Sequence, residues 1–343
     1  MKAVVTNQWH DATLQDVDKP TVGPGECLIQ LKLAGICGSD VHIYEGHHPT
    51  AKAPIIQGHE FVGTLVEAGG DLPDGLTVGD RVVVEPLISC GTCEACVAGN
   101  THVCRSLKLL GIHEHGGFAE FVKVPTAKVI RVPDNVPDRL AVLTEPFAVG
   151  FHVCQRAELK NGQRALVIGA GPIGLIVAMV AAMSGAEVAI SEVSDERLRQ
   201  AENDFGFMTI DAKNDPISQA NKITDGDGFD VVFEVSGTAP GLTFAMNACR
   251  VRGRIVQVGF FGKPIEVNLM PIILREQTLV GSRVYAPLHF KRTLPMLGRL
   301  LSEKRFDAEK LIAEVRPLGT VQQSIHDMIE GKVTGKILID PKL

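Results

Sequence analysis

The sequence predicts an α/β protein built from two parts of different class, a β-rich, barrel-like part and a doubly wound parallel sheet. Three observations carry that expectation. Residues 1 to about 145 contain short apolar runs punctuated by Gly-Asp, Pro-Asp and Gly-Gly pairs. From Arg164 onward, runs of buried-strand character alternate with helical ones. A glycine-rich turn stands between the first of those strands and its helix. At 343 residues the chain is also long for a single core.

In chain order, strands are expected at 26–33, 61–67, 81–84 and 118–124. The pattern then changes to a strand at 165–168, a helix at 172–183 and a strand at 187–191, with further strands at 230–235 and 254–258. After about Gly281 there remain an amphipathic stretch at 294–301 and a short strand at 336–339. That tail is too small to hold its own core, so it is expected to return to the first part. No internal repeat or low-complexity tract is present.

Formal net charge is −6 and no basic run occurs, which argues against nucleic acid or an anionic membrane as the partner. The amino terminus lacks the apolar core of a signal peptide, and the longest apolar stretch, residues 175–183, is too short to cross a bilayer. Eight cysteines without an export signal, five of them at metal-ligand positions, fit a reducing cytoplasm. Cys27, Cys154 and Cys249 lie in apolar segments and read as small buried hydrophobes.

The turn Gly169-Ala170-Gly171-Pro172-Ile173-Gly174 matches G-x-G-x-x-G. Gly169 suits the tight turn, Gly171 lets backbone approach a pyrophosphate, and Gly174 allows close helix–strand packing. The helix that starts at Pro172 and Ile173 offers free N–H groups to phosphate. Glu192 ends the second strand, where a carboxylate binds ribose hydroxyls and repels a 2′-phosphate, so NAD is favoured over NADP. A solvated strand-end charge is the plainer alternative. Arg197 is expected to flank the adenine. Ser236, Val258, Gly259 and Phe260, together with Ser282, are candidate contacts on the nicotinamide side.

Cys90, Cys93, Cys96 and Cys104 stand at C-x2-C-x2-C-x7-C spacing among polar neighbours, the pattern of a closed structural zinc site. Cys37, the pair His59-Glu60, and Glu145 form a scattered second set, suited to a zinc that keeps one position open. Each of these residues has an ordinary reading as well. Glu145 followed by Pro146 is what a helix start requires.

Six motifs in order, G-I-C-G-S-D-V-H at 35–42, G-H-E at 58–60, G-D-R-V at 79–82, the cysteine lobe at 90–104, E-P-F-A-V at 145–149 and G-A-G-P-I-G at 169–174, resemble the medium-chain zinc-dependent alcohol dehydrogenases. The resemblance covers essentially the whole chain and is strongest to the sorbitol (polyol) and threonine dehydrogenase branch. It implies a discontinuous GroES-like β-barrel catalytic domain from residues 1–148 and 281–343, with a structural zinc lobe at 88–105. A Rossmann coenzyme domain at 149–280 is inserted, and the active site is expected in the cleft between. Two zinc ions per chain and NAD are the implied cofactors.

The resemblance also implies that Cys37, His59 and one or both of Glu60 and Glu145 hold the catalytic zinc, with water completing the shell. Ser39 and His42 relay the substrate proton by way of the cofactor ribose, and a hydride passes to the nicotinamide to leave a ketone. The expected substrate is a polyol, sugar or sugar acid carrying a secondary alcohol. L-threonine is the second reading, weakened because this chain has Glu145-Pro146-Phe147-Ala148-Val149 and Leu87-Ile88-Ser89 where threonine dehydrogenases usually differ. A catalytically silent regulator is the third, disfavoured because Cys37, Ser39, His42, His59 and Glu60 are all present. His47, His48, His113 and His115 either face the substrate or are exposed loop histidines. A homotetramer is expected, with a homodimer as the alternative.

Overall fold

The computed structural model describes residues 1–343. They form two compact units, one of Met1–Glu145 with Ala286–Leu343 and the other of Pro146–Tyr285.

In the first unit the strand Glu26–Gly35 organises the sheet. It pairs antiparallel with Glu60–Ala68, Phe121–Pro125 and Lys336–Asp340, so the carboxy-terminal strand is tied to the amino-terminal part of the chain. The sheet extends through Arg81–Val84 to Val129–Arg131 and, at the other side, to Ile312–Pro317. Ile29, Leu31, Leu65, Val82, Val122, Ile337 and Ile339 meet in one core. Each such side chain contributes about 1.5–3 kcal/mol by leaving water.

Two expectations are corrected here. The strand expected at 118–124 begins only at Phe121. Phe118 turns inward, fully buried against Gly58, while its carbonyl accepts the Val4 N–H at 2.8 Å. The amphipathic stretch at 294–301 is the second half of a longer helix, Pro287–Glu303. Phe290, Leu294, Leu297 and Leu300 give that helix its buried stripe, which internal Pro295 and neighbouring charges obscured in the sequence.

His289 lies buried on the same helix. Burial, reinforced by the charges of His102 and Arg292, pushes its pKa down from 6.5 to about 4. The folded state therefore holds it neutral while the unfolded chain binds a proton, so its contribution to stability is complete above pH 6.5 and is lost as pH falls toward 4. Denaturant titrations between pH 7 and 4.5 should show a steeper loss of stability for the native chain than for His289→Phe. Equal slopes would contradict the assignment.

The second unit holds six parallel strands: Arg164–Ile168 (β1), Glu187–Glu192 (β2), Met208–Asp211 (β3), Phe229–Glu234 (β4), Cys249–Gln257 (β5) and Thr278–Gly281 (β6). Their order is β3-β2-β1-β4-β5-β6, a doubly wound sheet whose strand order reverses between β1 and β4. The central strands β1 and β4 are buried almost throughout, as a sheet covered on both faces requires. The edge strands β3 and β6 were not expected. They are short and partly exposed, at Met208 and Leu279, and so lack the continuous apolar run that marks β1. The helix Pro172–Met183 follows β1, with proline at its first position. No helix in the chain is long and apolar enough to cross a membrane.

Candidate active site

The cysteine lobe hangs from a small hairpin, Leu87–Ile88 paired with Lys108–Leu109. Its four sulfurs stand 3.5 Å (Cys93–Cys96 and Cys90–Cys104) and 3.9 Å (Cys90–Cys96 and Cys93–Cys104) apart. A disulfide would bring two sulfurs to about 2.05 Å, and all eight cysteines of the chain are free. Tetrahedral zinc with bonds of about 2.3 Å separates its sulfurs by about 3.8 Å. The lobe thus has the dimensions of a zinc tetrahedron. The backbone N–H groups of Cys90 and Cys93 point at the sulfurs of Cys104 and Cys90, which suits thiolates.

The second set converges on the end of Glu26–Gly35. Cys37 caps the short helix Gly38–Tyr44, and His59-Glu60 opens the neighbouring strand. The ligand atoms of Cys37, His59 and Glu60 lie within 4.8 Å of one another. Asp40, fully buried, joins the two loops: its carboxylate accepts the Cys37 N–H at 2.9 Å and the Gly58 N–H at 3.4 Å, and stands 3.8 Å from His59 Nδ1. A carboxylate behind one ring nitrogen orients the other toward a metal. Ser39 Oγ lies 3.4 Å from His59 Nε2. Burial opposes a charge on His59, yet Asp40, then Cys37 and Glu145, outweigh it and hold its pKa well above the ordinary range. Carboxyl groups and a thiol thus surround one buried histidine whose Nδ1 has no hydrogen-bond partner. That environment fits a dication.

Lys336 is buried beside them as well. Its Nζ is 2.8 Å from Glu60 Oε1 and 2.6 Å from Oε2, both side chains being essentially inaccessible. Burial works against the Lys336 charge, but Glu60, Cys37 and Glu145 raise its pKa and keep it protonated. Glu145 itself is buried at the start of the helix Thr144–Arg156, close enough for its charge to act on both His59 and Lys336. Neither Asp40 nor Lys336 was singled out from sequence. Asp40 lay in plain view within the Cys37 segment, and Lys336 is the one charge opening an apolar terminal strand. His42 is exposed, one turn beyond Ser39 on the same helix.

In the second unit Gly169 has a φ of 104° and directly follows β1. A Cβ on Gly174 would strike the Gly169 carbonyl oxygen, whereas one on Gly171 would meet open space. Glu192 is buried, not a solvated strand end. It accepts N–H groups from Ala170 at 2.9 Å, Val193 at 2.7 Å and Ser194 at 3.1 Å, with Arg197 at 3.8 Å. A carboxylate has about four acceptor positions, so one remains for a ligand hydroxyl. Glu234, another residue the sequence did not flag, holds the ends of β4 and β5. Its side chain accepts from Ser236, Gly237 and Gln257, and its carbonyl from the N–H groups of Val258 and Gly259. Ser282 donates its backbone N–H to Gln257, while its buried Oγ has no protein partner. Phe260 is 83% exposed.

Comparison with known proteins follows the same division. Residues 23–134 match the family model for the alcohol dehydrogenase GroES-like domain, and residues 172–299 match that for zinc-binding dehydrogenases. A sorbitol dehydrogenase of Halalkalibacterium halodurans is 36% identical over 348 aligned positions, covering 99% of each chain. An L-galactonate-5-dehydrogenase of Escherichia coli is 30% identical over 97% of this chain and 99% of its own. A solved structure of an E. coli CFT073 alcohol dehydrogenase complexed with NADH superposes with a TM-score of 0.88 at 31% identity, covering 99% of both chains.

Proposed function

Because this chain belongs to the medium-chain zinc-dependent dehydrogenases, in their polyol and threonine branch, we propose that it oxidises the secondary alcohol of a polyol, sugar or sugar acid to a ketone with NAD. The observation that carries this reading is the joint placement of Cys37, His59, Glu60 and Ser39 in one anionic pocket. When bound there, zinc supplies Lewis acidity to a substrate oxygen, and NAD supplies the hydride acceptor.

The chain's own residues do the rest. Cys37, His59 and one or both of Glu60 and Glu145 would hold the metal, with Lys336 sharing Glu60. Asp40 fixes the His59 ring. Ser39 accepts the substrate's hydroxyl proton, and His42, exposed on the same helix, exchanges it with solvent. The glycine turn Gly169–Gly174 carries the pyrophosphate, with Pro172 and Ile173 opening the helix behind it. Glu192 takes a ribose hydroxyl beside Arg197, and Ser236, Val258, Gly259, Phe260 and Ser282 line the nicotinamide side. Cys90, Cys93, Cys96 and Cys104 keep a second zinc for structure alone. Five cysteines at metal-ligand positions support a reducing compartment, the cytoplasm.

An absorbance assay with polyols, aldonates, 2,3-butanediol and L-threonine, each with NAD and NADP, tests the reading. NADH formed fastest from a polyol or aldonate supports it. Fastest turnover of threonine would favour the second reading, and a large NADP preference would refute the role of Glu192.

An uncovered apolar face on the second unit supports a subunit contact there. Ile273 (69% exposed) and Leu274 (75%) stand beside exposed Leu269 and Met270, and β6, the strand that follows, is an edge of its sheet. An open edge strand flanked by such a patch is a pairing surface, and we assign it to the subunit contact of a homodimer that further associates to a tetramer. Ile273→Asp should lower the mass measured by light scattering by at least half, and an unchanged mass would contradict the assignment.

A further inference from the structure

We infer that His42, Glu45 and His47 form a third, exposed metal site that binds a divalent transition ion such as Zn²⁺. The ligand atoms of these three residues lie within 4.8 Å of one another. His47 Nδ1 and Glu45 Oε2 are already 3.4 Å apart, the separation of two donors on a tetrahedral zinc with bonds of about 2.1 Å.

The backbone builds the arrangement. His42 lies in the last turn of Gly38–Tyr44, and Glu45 caps that helix three residues on, hence on the same face. Gly46 then turns the chain back with a φ of 74°, its Cα packed so close to the Trp9 ring that a Cβ would come within 2.8 Å of it. The His47 N–H donates to the His42 carbonyl at 2.8 Å, which closes the loop and returns the second imidazole to the first. His48, next in sequence, is directed elsewhere: its Nδ1 accepts the Ala51 N–H at 3.1 Å and its ring packs edge-on to His113. The residues brought together are thus the two imidazoles and one carboxylate that suit a borderline ion, with water free to complete the shell.

The site has a consequence that rests on the proposed role of His42. A metal held by that imidazole removes it as the exit for the substrate proton, so free zinc at the outer site slows the enzyme that zinc at the inner site enables. The same loop would make the enzyme sensitive to metal excess.

The test uses protein with its two inner zinc sites filled and dialysed against added ZnCl₂. A third equivalent is expected to bind, and His47→Ala and Glu45→Gln should each weaken it by about 100-fold, the upper end of what losing even a group behind the ligands costs a metal site. The zinc concentration that halves NAD reduction should rise by the same factor in both variants, each compared with its own uninhibited rate. A native chain that takes up no third equivalent overturns the site. Retention of the third equivalent with unchanged affinity in both variants overturns it too. A third equivalent that binds and leaves turnover untouched instead overturns the role of His42, so the two failures are read apart.

Discussion

Replacing Cys37 by serine is expected to cut turnover by about a thousandfold, the rate equivalent of the several kcal/mol that a Lewis-acid ion contributes. The fold should survive, because Cys37 caps the helix Gly38–Tyr44 and serine is a better cap. A neutral hydroxyl replaces a thiolate, so the anionic pocket loses its softest donor. Zinc content should fall from two ions per chain to one, the ion of Cys90, Cys93, Cys96 and Cys104. Tryptophan or NADH fluorescence would show cofactor binding retained, since the glycine turn lies in the other unit. Full turnover by the Cys37→Ser protein would contradict the placement of the metal.

Lys336→Met is expected to cost about 3–5 kcal/mol of stability in zinc-stripped protein, the range for removing one partner of a buried ion pair. The loss arises because the inaccessible Glu60 carboxyl group loses the ammonium that both of its oxygens face. Zinc should recover part of it, since the ion and the ammonium neutralise the same carboxylate. Denaturant unfolding with and without zinc measures both effects. A stripped Lys336→Met protein as stable as the native chain would show that the Lys336–Glu60 pair contributes nothing.

The two cases also show why some of the site was legible in the sequence and some was not. The cysteine lobe and the glycine turn are local. Their spacing within a few residues states both the chemistry and the turn that performs it, and the helix Pro172–Met183 begins and ends where its proline and apolar run imply. Cys37 and His59 were readable as ligand types, but what brings them together is Asp40, whose role depends on a hydrogen bond to Gly58 that no spacing announces. Lys336 meets Glu60 across 276 residues of sequence, by the pairing of the last strand with Glu26–Gly35. Glu234 was hidden differently: at the end of a buried strand it looks like a boundary residue, and only the neighbouring ends of β4 and β5 reveal what its carboxylate gathers. Edge strands β3 and β6 escaped because partial exposure breaks the apolar run on which strand recognition depends.

Activity that follows the mixed-donor zinc is the central claim, and one measurement addresses it most directly. Protein is dialysed against a chelator, and zinc content and NAD reduction are measured on the same samples as zinc is lost and then restored. The expected course is two ions per chain at the start, one for each inner cluster, with turnover falling in step with the first ion to leave and returning when it is replaced. Turnover that persists after that ion has gone would contradict the account.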